Sequence, residues 1–266
     1  MNDTLLGKAV ASPRGHDPSI LTPIPRPARQ VAMYGFDLWR GYELSWLNPQ
    51  GCPQAAILEL VYPCESACLV ESKSLKLYLN GLAYVRFASA AQVKQTIRHD
   101  LSAILDAPWL RVTIFEAADF QTLAWQAQPP GTSLDALSVV AARQAPDPDL
   151  LFTTAGDVQE TLNSGLLRSL CPITGQPDWG SVVVSYRGPR IDGAGLLSYI
   201  CSYREHQGFH EACCERIFTD ISLRCAPQSL LVGCWYTRRG GIDINPVRAS
   251  YPLTEEEFPR LRLFRQ

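Results

Sequence analysis

The sequence has few of the features that mark membrane and secreted proteins. No apolar run in its 266 residues reaches the roughly 18 residues that a membrane-spanning helix requires. The first 17 residues set Asp3 and Lys8 among only a few apolar residues, a pattern unlike that of a secretory signal. We therefore expect a cytoplasmic protein without a membrane partner.

An excess of charge of either sign is also absent. The chain has 24 Lys and Arg against 26 Asp and Glu, which gives a formal net charge of −2. This balance argues against a nucleic-acid partner, although a local basic patch can still bind a small nucleotide. Apolar residues make up 46% of the chain, so it is too apolar to be disordered.

Cysteine is not scarce, but the arrangements that would give it a structural role are missing. The nine cysteines stand at positions 52, 64, 68, 171, 201, 213, 214, 225 and 234, an odd number without a Cys-x-x-Cys pair. A secreted disulfide framework is usually shorter and even-numbered, and a reducing cytosol keeps thiols unpaired. We expect most of these residues to be small buried hydrophobic groups, with Cys171 as the exception.

Two nucleotide-binding signatures are missing as well. No Gly-x-Gly-x-x-Gly follows a predicted strand, and no Walker loop is present. The sequence therefore argues against a Rossmann domain and against a P-loop enzyme.

What is present is an alternation of short elements after a proline-rich start. Five of the 20 prolines fall in the first 30 residues, which predicts an extended arm because proline fixes φ and removes an amide donor. Apolar and aromatic runs predict strands, and apolar spacings of three and four predict helices. The strands are expected at 55–62, 74–79, 110–115, 181–186, 196–203 and 230–236, and the helices at 89–105 and 211–223.

The predicted elements of the two halves follow a similar order about 120 residues apart, with a Pro- and Gly-rich connection at 126–149 between them. The identity between the halves is weak, so tandem duplication is a hypothesis. Two copies of a β-β-helix-β unit predict an α+β fold in which antiparallel sheets are covered by helices on one face.

The segment CPITGQPDWG holds the first candidate site. Pro172 pushes the backbone of Cys171 toward an extended conformation, and further prolines and glycines shape a loop before the next strand. A cysteine on a rigid loop with an acid seven residues later, Asp178, can form a pair of nucleophile and proton donor. A packed cysteine near a surface aspartate is the alternative.

Two further segments carry basic residues suited to a phosphate. The run VESKSLKLY places Glu71 and Lys73 at the predicted entrance of a strand, where Glu71 could accept hydrogen bonds from a purine-like edge. The run TRRGGIDINP places Arg239 beside Gly240, and glycine allows close backbone approach while arginine binds bidentately. A solvated strand end and a solvated turn are the alternatives.

A fourth segment lies at the predicted start of a helix. His206, His210 and Cys214 are four residues apart and could present metal ligands on one face, but Gly208 interrupts a helix there. We therefore expect no metal site. Glu211 falls in the first helical turn, where the helix dipole favours an acid, so a plain N-terminal acid is the alternative to a binding role.

Taken together, these segments resemble the NADPH-dependent 7-cyano-7-deazaguanine reductases, the nitrile reductases of queuosine biosynthesis, which is a tRNA modification. Five stretches carry the resemblance across most of the chain from about residue 36, and their combination is highly specific. They are FDLWRGYELSWLNPQG (36–51), ESKSLKLYLN (71–80), CPITGQPDWGSVVVSY (171–186), GFHEACCERIF (208–218) and TRRGGIDINPVR (237–248).

The resemblance implies the long, two-module form of the family, since ESK lies in the first half and the other motifs in the second. It implies the tunnelling fold, whose modules associate into barrels with sites at module interfaces, and a homodimer. The expected organisation is an extended arm at 1–35, a first module at 36–130, a connection at 131–165 and a second module at 166–266. GAGLLSYI then stands where the second module would have had ESK.

The resemblance also implies a role for each motif residue. Cys171 would add to the nitrile to form a thioimidate, and Asp178 would donate the proton that the nitrile nitrogen requires. The substrate-binding residues would be Val70, Glu71, Ser72, His210 and Glu211. NADPH, two molecules of which are consumed per nitrile, would be contacted by Ser72, Lys73, Arg239 and Gly240.

Two other classes remain open at this point. A zinc-dependent pterin or cyclohydrolase enzyme of the tunnelling fold would need Cys and His ligands, which cluster poorly in this sequence. A non-enzymatic purine- or pterin-binding module would keep Glu211 but have no use for Cys171 beside Asp178. Metal analysis and thiol alkylation separate both from a metal-free reductase.

Overall fold

The computed structural model describes residues 12–122, 128–139, 143, 145–253 and 261–266, with the backbone alone at 120–122. Parts of the predicted arm, both modules and the connection lie outside the described residues. The chain divides into two compact units. Unit 1 takes in the described parts of Met1–Ala28, Phe36–Ala124 and Arg238–Asp243, and unit 2 those of Arg29–Gly35, Trp125–Thr237 and Ile244–Gln266.

Unit 1 combines an antiparallel sheet with two helices. Its elements are β1 (Pro23–Pro25), β2 (Tyr34–Leu47), β3 (Pro53–Pro63), β4 (Cys68–Val70), α1 (Ser72–Leu82), α2 (Ala90–Leu105) and β5 (Arg111–Phe115). β3 lies between β2 and β5 and is antiparallel to both. β1 and β4 form a separate antiparallel ladder, and α2 packs on β5 and β4.

Unit 2 repeats this combination with longer strands. Its elements are β6 (Thr132–Ser133), β7 (Thr153–Leu170), β8 (Pro177–Ile191), α3 (Gly193–Cys201), α4 (His210–Cys225), β9 (Ser229–Tyr236) and β10 (Ile242–Ala249), whose first two residues fall in unit 1. The order is β10-β9-β8-β7-β6, antiparallel except for the short β6–β7 pair. α4 packs on β9, and α3 packs on β7. The predicted α+β class, with tandem sets of antiparallel strands and helices, is confirmed.

Most of the predicted elements are present, but two are of the wrong type. The predicted helices correspond to α2 and α4, and the strands predicted at 55–62, 110–115, 181–186 and 230–236 fall on β3, β5, β8 and β9. The strand predictions at 74–79 and 196–203 are wrong, because these segments form α1 and α3, the latter continued by a 3₁₀ helix at Ser202–Glu205.

The spacing of apolar residues explains why α1 is a helix. Leu75, Tyr78, Leu79 and Leu82 are buried at helical spacings of three and four. The carboxylate of Glu71 caps the helix by accepting hydrogen bonds from the backbone at its N-terminus. In a short run, dense apolar residues satisfy a helical period as well as a strand pattern.

The long strands β2 and β7 are absent from the sequence-based expectations. The first half of β7 is polar and mostly exposed, so it lacks the apolar alternation by which a strand is recognised. Its pairing with β8 identifies it instead. Among the described residues, no helix has both the length and the apolar character needed to cross a membrane.

Candidate active site

The β7–β8 hairpin positions Cys171 and Asp178 in unit 2. Cys171 directly follows β7, and Asp178 is the second residue of β8, paired with Ser169. The connection is closed by two hydrogen bonds: Cys171 N donates to the Gln176 carbonyl at 2.9 Å, and Gly175 N donates to the Cys171 carbonyl at 3.0 Å. Gly175 has a φ of +65°, which glycine adopts without strain. The hairpin therefore carries both residues at the same end, and both are buried.

Backbone contacts also tie the turn before α4 to this hairpin. Leu170 N donates to the His206 carbonyl at 2.8 Å, and Gly208 N donates to the Leu170 carbonyl at 3.1 Å. Since Leu170 precedes Cys171, these bonds bring the start of α4 beside the hairpin end. His210 is the first residue of α4, and Glu211, which is buried, is the second.

His210 completes a compact polar group with Asp178. Its Nε2 lies 3.3 Å from Asp178 Oδ2, and its ring stacks on the ring of Tyr236, with centroids 3.9 Å apart and planes 13° apart. Its Nδ1 is buried and makes no hydrogen bond to any residue that the structure describes. The imidazole is thus oriented by one carboxylate and one aromatic face. Sequence analysis missed Tyr236, because only the tertiary structure places β9 beside the start of α4.

Several of the other cysteines are unsuited to act as nucleophiles. All nine lie in the described part of the chain and none forms a disulfide. Burial raises the pKa of Cys213 to about 12, although the nearby hydroxyls of Ser169 and Tyr236 partly offset it. Burial raises the pKa of Cys225 to about 11 and that of Cys234 well above its ordinary value. These groups are thiols at neutral pH, whereas the thiolate is the reactive form.

Unit 1 carries the ESK motif at the start of α1 and not at the entrance of a strand. The Glu71 carboxylate accepts hydrogen bonds from Lys73 N at 2.7 Å and from Ser74 N at 2.8 Å. Val70 and Glu71 are buried, while Ser72 and Lys73 are half-buried. The motif therefore sits at a capped helix N-terminus, where partial positive charge favours an anion.

The Arg-Arg-Gly-Gly segment lies in the same unit as this helix. Gly240 and Gly241 have φ values of +58° and +73°. A Cβ on Gly240 would lie 3.2 Å from Nζ of Lys76, so glycine leaves room beside this ammonium group. A pocket of about 210 Å³ opens there, and it is lined by Gly41, Glu43, Lys76, Leu79, Asn80, Gly240, Gly241 and Ile242.

Aromatic and backbone contacts support this pocket. The Arg238 guanidinium lies over the ring of Tyr42, 4.6 Å from its centroid. Tyr42 donates its hydroxyl to Asp243 at 2.5 Å and its backbone N–H to the Gly241 carbonyl at 2.8 Å. Sequence analysis missed Lys76 as a lining residue. Lys76 lies one helical turn after Lys73, but this spacing places the two residues on the same face only if the segment is a helix.

The histidine and cysteine spacing at 206–214 does not form a metal centre within one helix. His206 follows the 3₁₀ helix, and α4 begins only at His210. In the described part of the chain, no three His, Cys, Asp or Glu residues are grouped so that they could hold a metal ion.

Comparisons with known proteins identify the family. Residues 13–114 match the family model described as nitrile reductase, 7-cyano-7-deazaguanine-reductase N-term, and residues 177–254 match the one described as QueF-like protein. An NADPH-dependent 7-cyano-7-deazaguanine reductase of Coxiella burnetii (strain CbuK_Q154) is 48% identical over 257 residues, 93% of this chain and 91% of the relative. One of Xanthomonas campestris pv. campestris (strain B100) is 49% identical over 258 residues, 93% of each chain. The chain therefore belongs to the NADPH-dependent 7-cyano-7-deazaguanine reductase family.

Proposed function

We propose that this protein reduces the nitrile of 7-cyano-7-deazaguanine to the primary amine of 7-aminomethyl-7-deazaguanine, with two NADPH per substrate, as a step of queuosine biosynthesis. The names of the relatives support this activity, and they favour it over a zinc-dependent cyclohydrolase and over a binding module. The observation that carries the chemistry is the hairpin end with buried Cys171 and Asp178 and with His210 beside Asp178.

Cys171 acts as the nucleophile. A nitrile carbon accepts hydride poorly, but thiolate addition forms a C–S bond and moves one pair of π electrons onto the nitrogen, which takes up a proton. The resulting thioimidate carbon is a better hydride acceptor. After the first hydride has reached this carbon, the C–S bond breaks, the sulfur leaves as thiolate and the nitrogen lone pair forms a C=N bond, so Cys171 is regenerated. The second hydride then reduces this imine to the amine.

Asp178 is the proton donor to the nitrile nitrogen. Its carboxyl group is buried, and its Oδ2 lies 3.3 Å from Nε2 of His210. This distance is short enough for His210 to return a proton to the carboxylate between the two reductions. His210 therefore has a second role besides lying against the substrate.

Two buried carboxylates are assigned to the substrate ring. The deazaguanine edge presents an N–H and an amino group side by side, and a carboxylate can accept both. Glu211 takes this edge, and Glu71 takes another, with Val70 and Ser72 lining the pocket. Both oxygens of Glu71 already accept a backbone N–H, but each carboxylate oxygen has a second lone pair, so capping and substrate binding are compatible.

The residues of unit 1 fit a phosphorylated dinucleotide. When bound, NADPH supplies hydride, and nitrile-to-amine reduction requires two hydrides. Gly240 has a φ in the left-handed region and no side chain, so its backbone is accessible beside Lys76. A charged guanidinium binds phosphate bidentately. Ser72, Lys73, Arg239 and Gly240 are assigned to NADPH, and no metal is assigned to the reaction.

The family relationship supports a proposal for the assembly and its location. The active form is a homodimer in the cytoplasm, with a small-molecule substrate and neither a nucleic-acid nor a membrane partner. Each chain consists of an arm at 1–35, modules at 36–130 and 166–266, and a connection at 131–165. Light scattering of the purified protein tests the dimer.

The decisive experiment mixes protein, 7-cyano-7-deazaguanine and NADPH and follows the nicotinamide absorbance. Substrate-dependent loss of absorbance and formation of the aminomethyl product are expected for the wild-type protein, and neither for Cys171→Ala. Turnover that survives in Cys171→Ala would exclude the covalent mechanism. Binding of the nitrile without any turnover in the wild-type protein would favour a binding module.

A further inference from the structure

The proline-rich arm of unit 1 runs along the segment that carries the ESK motif. β1 pairs antiparallel with β4, so that Pro23 lies opposite Val70 and Pro25 opposite Cys68. Val70 is the residue immediately before Glu71. The arm therefore forms the neighbouring strand of the segment that leads into the motif.

Thr22 contacts the motif on both sides of its first helical turn. Its carbonyl accepts a hydrogen bond from Glu71 N at 2.9 Å, and its N–H donates to the Ser74 hydroxyl at 3.1 Å. The Ser74 hydroxyl in turn donates to the Glu71 carbonyl at 2.7 Å. One arm residue thus fixes the backbone at Glu71 and the side chain of fully buried Ser74.

The arm is anchored again one turn before the end of α1. His16 Nε2 lies 2.6 Å from Asp100 Oδ2, and the Tyr78 hydroxyl donates to the same oxygen at 2.6 Å. Tyr78 belongs to α1 and Asp100 to α2. The arm also passes so close to Gly81 that a Cβ there would overlap the Gly15 carbonyl oxygen.

We propose that residues 13–27 form a positioning strap for the ESK motif, which they contact through the backbone of Thr22. This proposal rests on the proposed function, since it concerns Val70, Glu71, Ser72 and Lys73 as substrate and cofactor contacts. Docking of the strap fixes the backbone from which these side chains project. The strap belongs to unit 1, whereas Cys171 and Asp178 belong to unit 2. Loss of the strap therefore weakens binding more than it slows the chemical steps.

Two matched glycine variants test the strap. Gly81→Ala places a methyl group against the arm backbone, while alanine is itself favoured over glycine inside a helix. Gly15→Ala is the control, because a Cβ at Gly15 meets no atom within 4 Å. Gly81→Ala should raise the KM for the nitrile and for NADPH by roughly tenfold, since small misplacements of binding groups are costly. Its kcat should change less than about threefold, and Gly15→Ala should match the wild type in both.

A second variant keeps the test valid if Gly81→Ala does not fold. His16→Ala removes the hydrogen bond to Asp100 without adding volume, and it should raise both KM values in the same direction by about threefold. His16→Gln, which can still donate to Asp100, should restore most of the loss. Trypsin cleavage after Arg14, which precedes Gly15, should be faster in both Gly81→Ala and His16→Ala, which reports arm release directly.

The outcomes separate the strap from the activity. Faster cleavage with unchanged KM values would contradict the proposed role of the strap in binding but not the proposed reductase activity. A fall in kcat at constant KM would do the same. If the wild-type protein consumes no NADPH, the proposed function fails, and with it the role of the strap in binding, whatever the proteolysis shows. Faster cleavage together with higher KM and nearly constant kcat supports the strap.

Discussion

His210 lies face to face with Tyr236, with ring centroids 3.9 Å apart and planes 13° apart. The stack comes from β9, whereas His210 begins α4. It directs Nε2 toward Asp178 at 3.3 Å. In many catalytic sites the second ring nitrogen of the histidine donates a hydrogen bond that orients the imidazole. In this protein the ring of Tyr236 orients it by stacking.

The first prediction concerns this stack. Tyr236→Leu should lower kcat by about tenfold, because an imidazole that is no longer held flat delivers protons to Asp178 less often. Tyr236→Phe keeps the aromatic face and should retain at least half of the wild-type kcat. Steady-state kinetics of both variants measure the difference. Equal losses in the two variants would assign the effect to the buried hydroxyl instead of the stack.

The second prediction concerns the covalent step. Protein and 7-cyano-7-deazaguanine without NADPH should form an adduct whose mass equals protein plus one intact substrate. Cys171→Ala should lose the adduct and the turnover but still bind the nitrile through Glu211 and Glu71. Cys213→Ala is the control and should form the adduct, since burial holds that thiol protonated with a pKa of about 12. An adduct on Cys213 in the Cys171→Ala protein would move the nucleophile to α4.

The third prediction separates the proton donor from the nucleophile. Asp178→Asn preserves shape and leaves the thiol in place, but the amide cannot supply the proton that the nitrile nitrogen needs. Adduct formation followed by mass spectrometry should slow by at least about 100-fold, within the range typical of general acid catalysis. The Kd of the nitrile should change little. An unchanged adduct rate would exclude Asp178 as the donor.

The fourth prediction concerns the cofactor. Arg239→Ala should raise the KM for NADPH by about tenfold or more, because a lost charge-assisted contact typically costs about 1.5–3 kcal/mol. The KM for the nitrile should stay within about twofold. Arg239→Lys should recover part of the loss, since it keeps the charge but not the bidentate geometry. Equal effects on both substrates would indicate a structural role for Arg239.

The fifth prediction concerns stoichiometry and metals. Nitrile to amine is a four-electron reduction, so complete turnover should oxidise two NADPH per substrate without free aldehyde. Activity should survive a chelator, since no step assigned to the protein's residues requires a metal. A ratio of one, measured by absorbance against product, would contradict the mechanism, and loss of activity with chelator would reopen the zinc-dependent class.

The family and the fold class can be predicted from the amino-acid sequence alone. The motifs around Cys171, Lys73 and Arg239 are local runs whose residue types and order are readable without coordinates. The helices α2 and α4 were predictable for the same reason, since their apolar period is a property of neighbouring residues. The assignment of individual residues to substrate and cofactor stays a prediction.

Features that depend on contacts between distant segments could be recognised only in the folded protein. Glu71 caps a helix where a strand was predicted, and the difference depends on which face of 72–82 is buried. β7 is a strand because β8 pairs with it, although its own residues are largely polar. Tyr236 meets His210, and Thr22 meets Glu71 and Ser74, only because the chain returns to these places. Such contacts leave no pattern among neighbouring residues, so they cannot be predicted from the sequence.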